Sequence, residues 1–421
     1  MPNRARAAAL TLTLTLALTQ AACSTPAPSP SLTPLASASP SASEVPSPSG
    51  SPGLPTVARD ALYYPEPLTY EVATPGQNII TTELAAPPGA RAWFVVYAST
   101  GLDGKPVPVS GIVLAPDAAA PEGGFPVIAW AHGTTGIADQ CAPSKQGLGG
   151  IPLEVRGLVE QGYVVTATDY EGLGTTGIHP YLVGKSEGRS VLDSIASAEA
   201  LTEAHAGTRA VIIGHSQGGH AALWGAELAP SYAPGLTLLG AFAGSPPTDL
   251  PAWQAWAFHE AAAGHLEAAD APLLLFGVWS GIYDAPLTFL TNAGRESALA
   301  GRDACVPAPF TTNPFLQDPA ETSSEWRDLL AGNSPGRALT GVPIRVVSPK
   351  ADQAVQYESQ VSGVNAMCAV GDTVEQVSVD GGHDASMWPP GAWADVMAWI
   401  ANRFADVSPV TTCPPLASVA P

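Results

Sequence analysis

Residues 211–219 read Val211-Ile212-Ile213-Gly214-His215-Ser216-Gln217-Gly218-Gly219. A short apolar run leads into G-x-S-x-G, and a segment with helical patterning follows to residue 228, where Pro230 is expected to stop it. A strand that turns this sharply into a helix has no room for side chains on either flank of the serine, which accounts for both glycines. The same turn lifts the hydroxyl above the sheet and aims it at a helix N-terminus. Ser216 is therefore the expected nucleophile.

Working outward, segments at 127–131, 163–168, 211–213, 236–242, 344–347 and 374–379 are read as strands. Two more, 92–98 and 111–114, precede them. Helical patterns at 153–161, 187–204, 217–228 and 392–404 fall between or after the strands. Alternating βα units with fully apolar strands predict an α/β fold, a mostly parallel central sheet with helices on both faces. Residues 246–341 break the alternation. They hold Trp253, Trp256, Phe258, Trp279, Phe289, Phe310, Phe315 and Trp326 without paired strand patterns, and are read as a helical cap insertion over one edge of the sheet.

A serine hydroxyl needs a base, and the base needs a carboxylate that fixes its tautomer. On a serine turn of this kind the chain order is Ser, acid, His. His383, in the glycine-rich loop Asp380-Gly381-Gly382-His383-Asp384 after the last strand, fits the base. Asp352, in the loop after 344–347, fits the acid, with Asp380, Asp384 and Glu358 as rivals. Of two oxyanion donors, one is the backbone N–H of Gln217. The other is assigned to Thr134 in Ala131-His132-Gly133-Thr134-Thr135, with Gly133 in reserve. His132 is read as tying that loop down, without a catalytic role. Gly172-Leu173-Gly174-Thr175-Thr176-Gly177 follows a strand, but His179-Pro180 comes where a dinucleotide site would open its helix, so no cofactor is expected. HExxH, paired CxxC and Walker patterns do not occur, and no metal is expected.

The whole chain has 421 residues, 17 basic against 37 acidic, for a net charge of −20. Such a surface cannot displace counterions from phosphates, which excludes a nucleic-acid partner. Hydrophobic residues at 46% are ample for a core. Arg4 and Arg6, an apolar stretch at 7–18 and small residues to Ala22 describe a signal peptide over 1–22. The stretch is too short for a stable span, and no later segment is long enough. Gln20-Ala21-Ala22-Cys23 suggests that Cys23 is lipidated. Residues 24–55 carry ten serines, nine prolines and one charge, Glu44, so 23–55 is read as an extended tether. Residues 56–407 make the catalytic domain and 408–421 a tail. The chain is expected to be secreted or held at the cell envelope, touching membrane only through that N-terminal lipid.

Asp139-Gln140-Cys141-Ala142-Pro143-Ser144, Thr168-Asp169-Tyr170-Glu171-Gly172-Leu173-Gly174, the serine turn and the Asp352 and His383 loops together resemble the secretory lipase family of yeast lipase A-like α/β-hydrolases. The export end reads as that of a bacterial member. The resemblance implies the α/β-hydrolase fold, a lipid or carboxyl ester substrate, a cap forming an acyl tunnel, and no cofactor. By position, Ser216, Asp352 and His383 match the family's triad, and Thr134 with Gln217 its oxyanion hole. The 132–135 loop departs toward an ordinary esterase, so a broad esterase fits equally. Rival readings are an acyl peptidase or acyltransferase with the same triad, and a retired hydrolase fold serving as a binding lipoprotein.

Apart from Cys23, the cysteines are Cys141, Cys305, Cys368 and Cys413, which allow three pairings. Cys141 follows the oxyanion strand and Cys305 lies in the insertion that should cover the same end of the sheet. Cys368 ends the helix after Asp352, and Cys413 lies just beyond the final helix. The expected pairs are Cys141–Cys305 and Cys368–Cys413, the pairing that the resemblance also suggests. Four buried thiols are the alternative.

Overall fold

The structure is a computed structural model that describes residues 73–305, 310–318 and 323–415. The signal peptide, the tether with Cys23, the first residues of the catalytic domain and the end of the tail lie outside the described residues. Strands β1 (Asn78–Leu84), β2 (Ala90–Thr100), β3 (Pro106–Pro116), β4 (Phe125–Ala131), β5 (Val164–Thr168), β6 (Ala206–His215), β7 (Thr237–Gly244), β8 (Ile344–Pro349) and β9 (Val374–Val379) form one sheet. Its order is β1-β2-β3-β5-β4-β6-β7-β8-β9. The first three strands run antiparallel to their neighbours, and from β5 onward the pairing is parallel.

Helix α1 (Leu153–Arg156), α2 (Gly184–Ala200), α3 (Gln217–Tyr232), α8 (Tyr357–Val370) and α9 (Pro390–Phe404) follow successive strands. Between β7 and β8 stand α4 (Leu250–Ala263), α5 (Asp270–Ile282), α6 (Asn292–Ala300) and α7 (Ser324–Gly332). Side chains alternate across the pleat, so each apolar strand feeds two cores. Val127, Ala129, Ala210 and Ile212 pack with Val191 and Ile195 of α2 and Ala221 and Ala222 of α3. Ile128, Trp130, Val211 and Ile213 pack on the other face with Val155, Val396, Trp399 and Ile400. Both faces are therefore buried under helices, which explains why these strands carry no polar alternation.

Several boundaries differ from the sequence reading, those of α3 and α2 among them, and one strand is additional. α3 runs past Pro230 to Tyr232, because a proline in the last turn forfeits one bond while Ala233 N still closes on Ala229 O at 3.0 Å. α2 starts a turn early at Gly184 and ends at Ala200, where Leu201 turns extended with ψ 92°. β1, an edge strand with a half-exposed NIITTEL pattern, was not expected.

The insertion has its own core. Phe276, Trp326 and Phe289 meet edge to face with ring centroids 4.8–5.6 Å apart. That cluster continues into Ile137, Tyr181, Leu182, Val183 and Val355 of the loops below.

Candidate active site

The serine turn is built by steric exclusion. Ser216 sits at φ 57°, ψ −121°, a conformation that side chains rarely adopt. A Cβ on Gly214 would fall 2.0 Å from the Gly218 carbonyl, and one on Gly218 would fall 1.8 Å from that of Ala131. The turn is pinned by Ser216 N–H donating to Gly244 O at 2.8 Å. Gly133 closes against it, since a Cβ there would meet Ser216 Cβ at 3.6 Å. The 132–135 loop and the serine thus share one corner at the carboxyl ends of β4 and β6.

Asp352 follows β8 and His383 follows β9. His383 Nδ1 lies 2.8 and 3.0 Å from the two Asp352 oxygens. The carboxylate is buried and fully engaged. Its Oδ1 accepts the N–H groups of Ala354 and Val355, each at 2.9 Å, and its Oδ2 accepts Gln360 Nε2 at 3.1 Å. With both oxygens facing Nδ1, that nitrogen carries the proton and Nε2 is left as the acceptor. Asp384 is largely exposed and lies 3.7 Å from His215, and Glu358 stands on α8. Neither meets His383 Nδ1.

The sequence reading passed over residues that hold these groups. Ser245 donates its hydroxyl to the His383 carbonyl at 2.6 Å. His215 reaches the same carbonyl from Nε2 at 3.2 Å. Burial, with the His383 ring beside it, pushes His215 down to about 4, so it is neutral there. Trp253 of α4 donates from Nε1 to Ala354 O at 2.8 Å, so this tryptophan braces the acid loop. A cavity of about 530 Å³ opens beside His383, lined by Glu267, Ala351, Gln353, Ala354 and Gly382.

Thr134 is exposed, with its Oγ1 2.8 Å from the Tyr181 hydroxyl. His132 donates from Nδ1 to the Gly133 carbonyl at 2.6 Å and packs on Tyr170, whose hydroxyl donates back to His132 O at 2.9 Å. Burial lowers its pKa. Gly172, Gly174 and Gly177 all take positive φ in a loop beside Asp169. The buried Asp169 accepts Ser144 N–H at 2.9 Å and Ser110 Oγ at 2.6 Å. Two of the quoted segments, CAPS and DYEGLG, therefore meet through one carboxylate. Both sulfur pairs, Cys141–Cys305 and Cys368–Cys413, are bonded.

A sequence model described as secretory lipase matches residues 152–301. The chain is similar to the secretory lipases over these residues. Lipase A of Moesziomyces aphidis is 26% identical over 277 residues, 61% of this chain and 58% of that protein. A protein of Mycobacterium tuberculosis (strain CDC 1551 / Oshkosh), named a probable inactive lipase, is 30% identical over 211 residues, 45% of this chain and 46% of its own. The chain thus spans about half the length of these curated relatives. Among solved structures, Candida antarctica lipase A in its closed state superposes with a TM-score of 0.66 at 20% identity, covering 86% of this chain and 90% of that one. The fold is that of an α/β-hydrolase.

Proposed function

We propose that this secretory-lipase relative is a serine carboxyl-ester hydrolase. Ser216 Oγ attacks the ester carbonyl carbon while its proton passes to His383 Nε2. The carbonyl oxygen becomes an oxyanion received by the backbone N–H groups of Gln217 and Thr134. As the intermediate collapses, the carbon–oxygen bond to the alcohol breaks and His383 returns the proton to that oxygen. Water then attacks the acyl-serine by the same route, releasing the acid and restoring Ser216. Asp352 holds His383 in the Nδ1–H tautomer and offsets the charge it gains.

One observation carries this reading: the His383 Nδ1–Asp352 contact at 2.8 Å, in loops that abut His215, the residue before a serine at positive φ. Lipase A and its namesakes favour a lipid ester. The exposed Thr134 and the open cavity beside His383 suit shorter esters as well. In this reading residues 1–22 direct export and Cys23 carries a lipid, with 23–55 as the tether, the 246–341 insertion as the cap and 408–421 as the tail.

The test is hydrolysis of p-nitrophenyl esters from short to long chains, alongside labelling by a fluorophosphonate. Ser216→Ala is expected to remove both while leaving the fold intact. Labelling that persists in the variant would refute Ser216 as nucleophile. A wild-type protein that neither hydrolyses nor labels would favour the retired fold suggested by the relative named as inactive.

A further inference from the structure

The buried polar groups that this chemistry leaves unused gather around Glu187. This carboxylate, in the first turn of α2, is fully buried. Its Oε1 accepts the Leu182 N–H and a Gln217 Nε2–H, both at 2.8 Å. Its Oε2 lies 2.8 Å from His220 Nδ1. The other Gln217 amide hydrogen points at His179 Nε2, 2.9 Å away, while His179 Nδ1 donates to Glu171 O at 2.9 Å. Burial pushes His179 down to about 4, so its ring is neutral and Nε2 accepts. Beyond His220, Nε2 donates to the Asn333 carbonyl at 2.8 Å, which also takes Trp224 Nε1 at 3.0 Å.

Both ends of the network reach a proposed oxyanion donor. Gln217 is itself one of them. The other end runs through the 179–183 segment: Leu182 N–H rests on Glu187, and the neighbouring Tyr181 hydroxyl bonds Thr134 Oγ1 at 2.8 Å. Trp279 of α5 donates to the Tyr181 carbonyl at 2.8 Å and presses that segment down from the cap side. A buried carboxylate is tolerated only where polar partners converge on it, and here they come from the serine helix, the 179–183 segment and His220.

We propose that Glu187 is a positioning residue for the reaction: it holds the Gln217 side chain and the 179–183 segment together and so sets the spacing of the Gln217 and Thr134 N–H donors. The inference rests on the serine-hydrolase reading above. An oxyanion hole acts through preorganised distances, so loosening its frame lowers kcat more than it raises KM. The amide in Glu187→Gln keeps the network whole. Its oxygen still accepts from Leu182 and Gln217, and its nitrogen donates to His220 Nδ1 while His220 Nε2 still serves Asn333. Glu187→Leu leaves those donors without an acceptor.

The test measures kcat and KM on a p-nitrophenyl ester, and inhibition by an alkylboronic acid, whose tetrahedral adduct on serine places an oxygen in the hole. Glu187→Leu is expected to lower kcat about 10- to 100-fold and to weaken boronate inhibition by a like factor. KM should stay within about threefold, and Glu187→Gln should recover both losses. A folded Glu187→Leu protein with wild-type kcat and boronate inhibition overturns the proposal. If Glu187→Leu does not fold, Gln217→Met removes only the amide bonds to Glu187 and His179. A loss of about 10-fold in kcat and boronate affinity then supports the proposal, and wild-type values overturn it. Fluorophosphonate labelling of the wild type separates the two readings: a labelled enzyme with indifferent variants defeats only the role of Glu187, whereas an unlabelled, inactive wild type defeats both.

Discussion

His215 Nε2 donates to the backbone carbonyl of His383 at 3.2 Å, and the two rings stand 4.9 Å apart. The residue before the proposed nucleophile thus supports the loop of the proposed base. Losing one such bond costs about 1 kcal/mol, so His215→Phe is expected to lower kcat roughly 5- to 10-fold. The stability effect has a defined sign. His215 is pushed down to about 4 from its ordinary 6.5, so between these values the unfolded chain takes a proton that the fold refuses. Its contribution is complete above pH 6.5 and is lost as pH falls toward 4. Urea unfolding at pH 7.5 and pH 5 should show a smaller loss on acidification in His215→Phe than in the wild type. An equal loss would place the acid sensitivity elsewhere.

Trp253 is buried to 1% exposure and donates to Ala354, two residues beyond Asp352. Trp253→Phe keeps a ring in the cap core and deletes the N–H. The expected result is a several-fold fall in kcat that is uniform across short and long esters, because the acid loop is loosened while the acyl site keeps its shape. A change confined to long-chain esters would instead place Trp253 on the acyl path.

Asp193 acts in the opposite pH direction from His215. Its Oδ2 accepts Ser99 Oγ at 2.6 Å and Tyr232 OH at 2.8 Å, yet burial outweighs both and pushes the carboxyl up to about 7. From the ordinary 3.8 upward, the fold retains a proton that the unfolded chain has released. This stabilisation is complete below pH 3.8 and is lost as pH rises through 7, by at most about 1.4 kcal/mol per unit. Asp193→Asn mimics the protonated side chain and should remove that decline. Unfolding free energies at pH 4.5, 6 and 7.5 that run parallel in the two proteins would show that Asp193 is ionised in the fold.

How much of this was legible beforehand depends on how local each feature is. The 127–131 run of β4 and the 210–213 run of β6 are apolar because the sheet is covered twice there, and that signal lies within a few adjacent residues. Ser216 is equally local, since both glycines flank it. His383 and Asp352 could be placed because each sits in the loop just past a readable strand. Their supports could not. Trp253 meets Ala354 across 101 residues and Gln217 meets Glu187 across 30, and neither pairing leaves a periodic trace. Nothing local sets Glu187 apart from any other acid at the start of a helix, and only its burial distinguishes it. β1 escaped because a half-exposed edge strand carries Thr81, Thr82 and Glu83 where a covered strand would be apolar.

The two disulfides should separate stability from activity. Cys368–Cys413 spans 45 residues and ties the segment after α9 to α8, away from the proposed chemistry. In the chain-entropy model a loop of that size contributes about 4 kcal/mol. At roughly 2 °C per kcal/mol for a chain this large, Cys368→Ser with Cys413→Ser should lower Tm by about 8 °C and leave kcat nearly unchanged at 25 °C. Cys141–Cys305 joins the loop after the Thr134 segment to the insertion, where Gln140 Nε2 also donates to Asp303 O at 3.1 Å and Ile137 N to Ala304 O at 3.4 Å. One of these hydrogen bonds is exposed and the other is long, so Cys141→Ser with Cys305→Ser should release this edge of the cap. The expected outcome is a fall in kcat/KM on long-chain esters at a temperature where the fold is still intact by circular dichroism. Thermal melts and ester kinetics on both double variants decide the matter. If the Cys141–Cys305 variant loses only Tm and keeps its kinetics, that bond is a staple and the cap edge it holds takes no part in turnover.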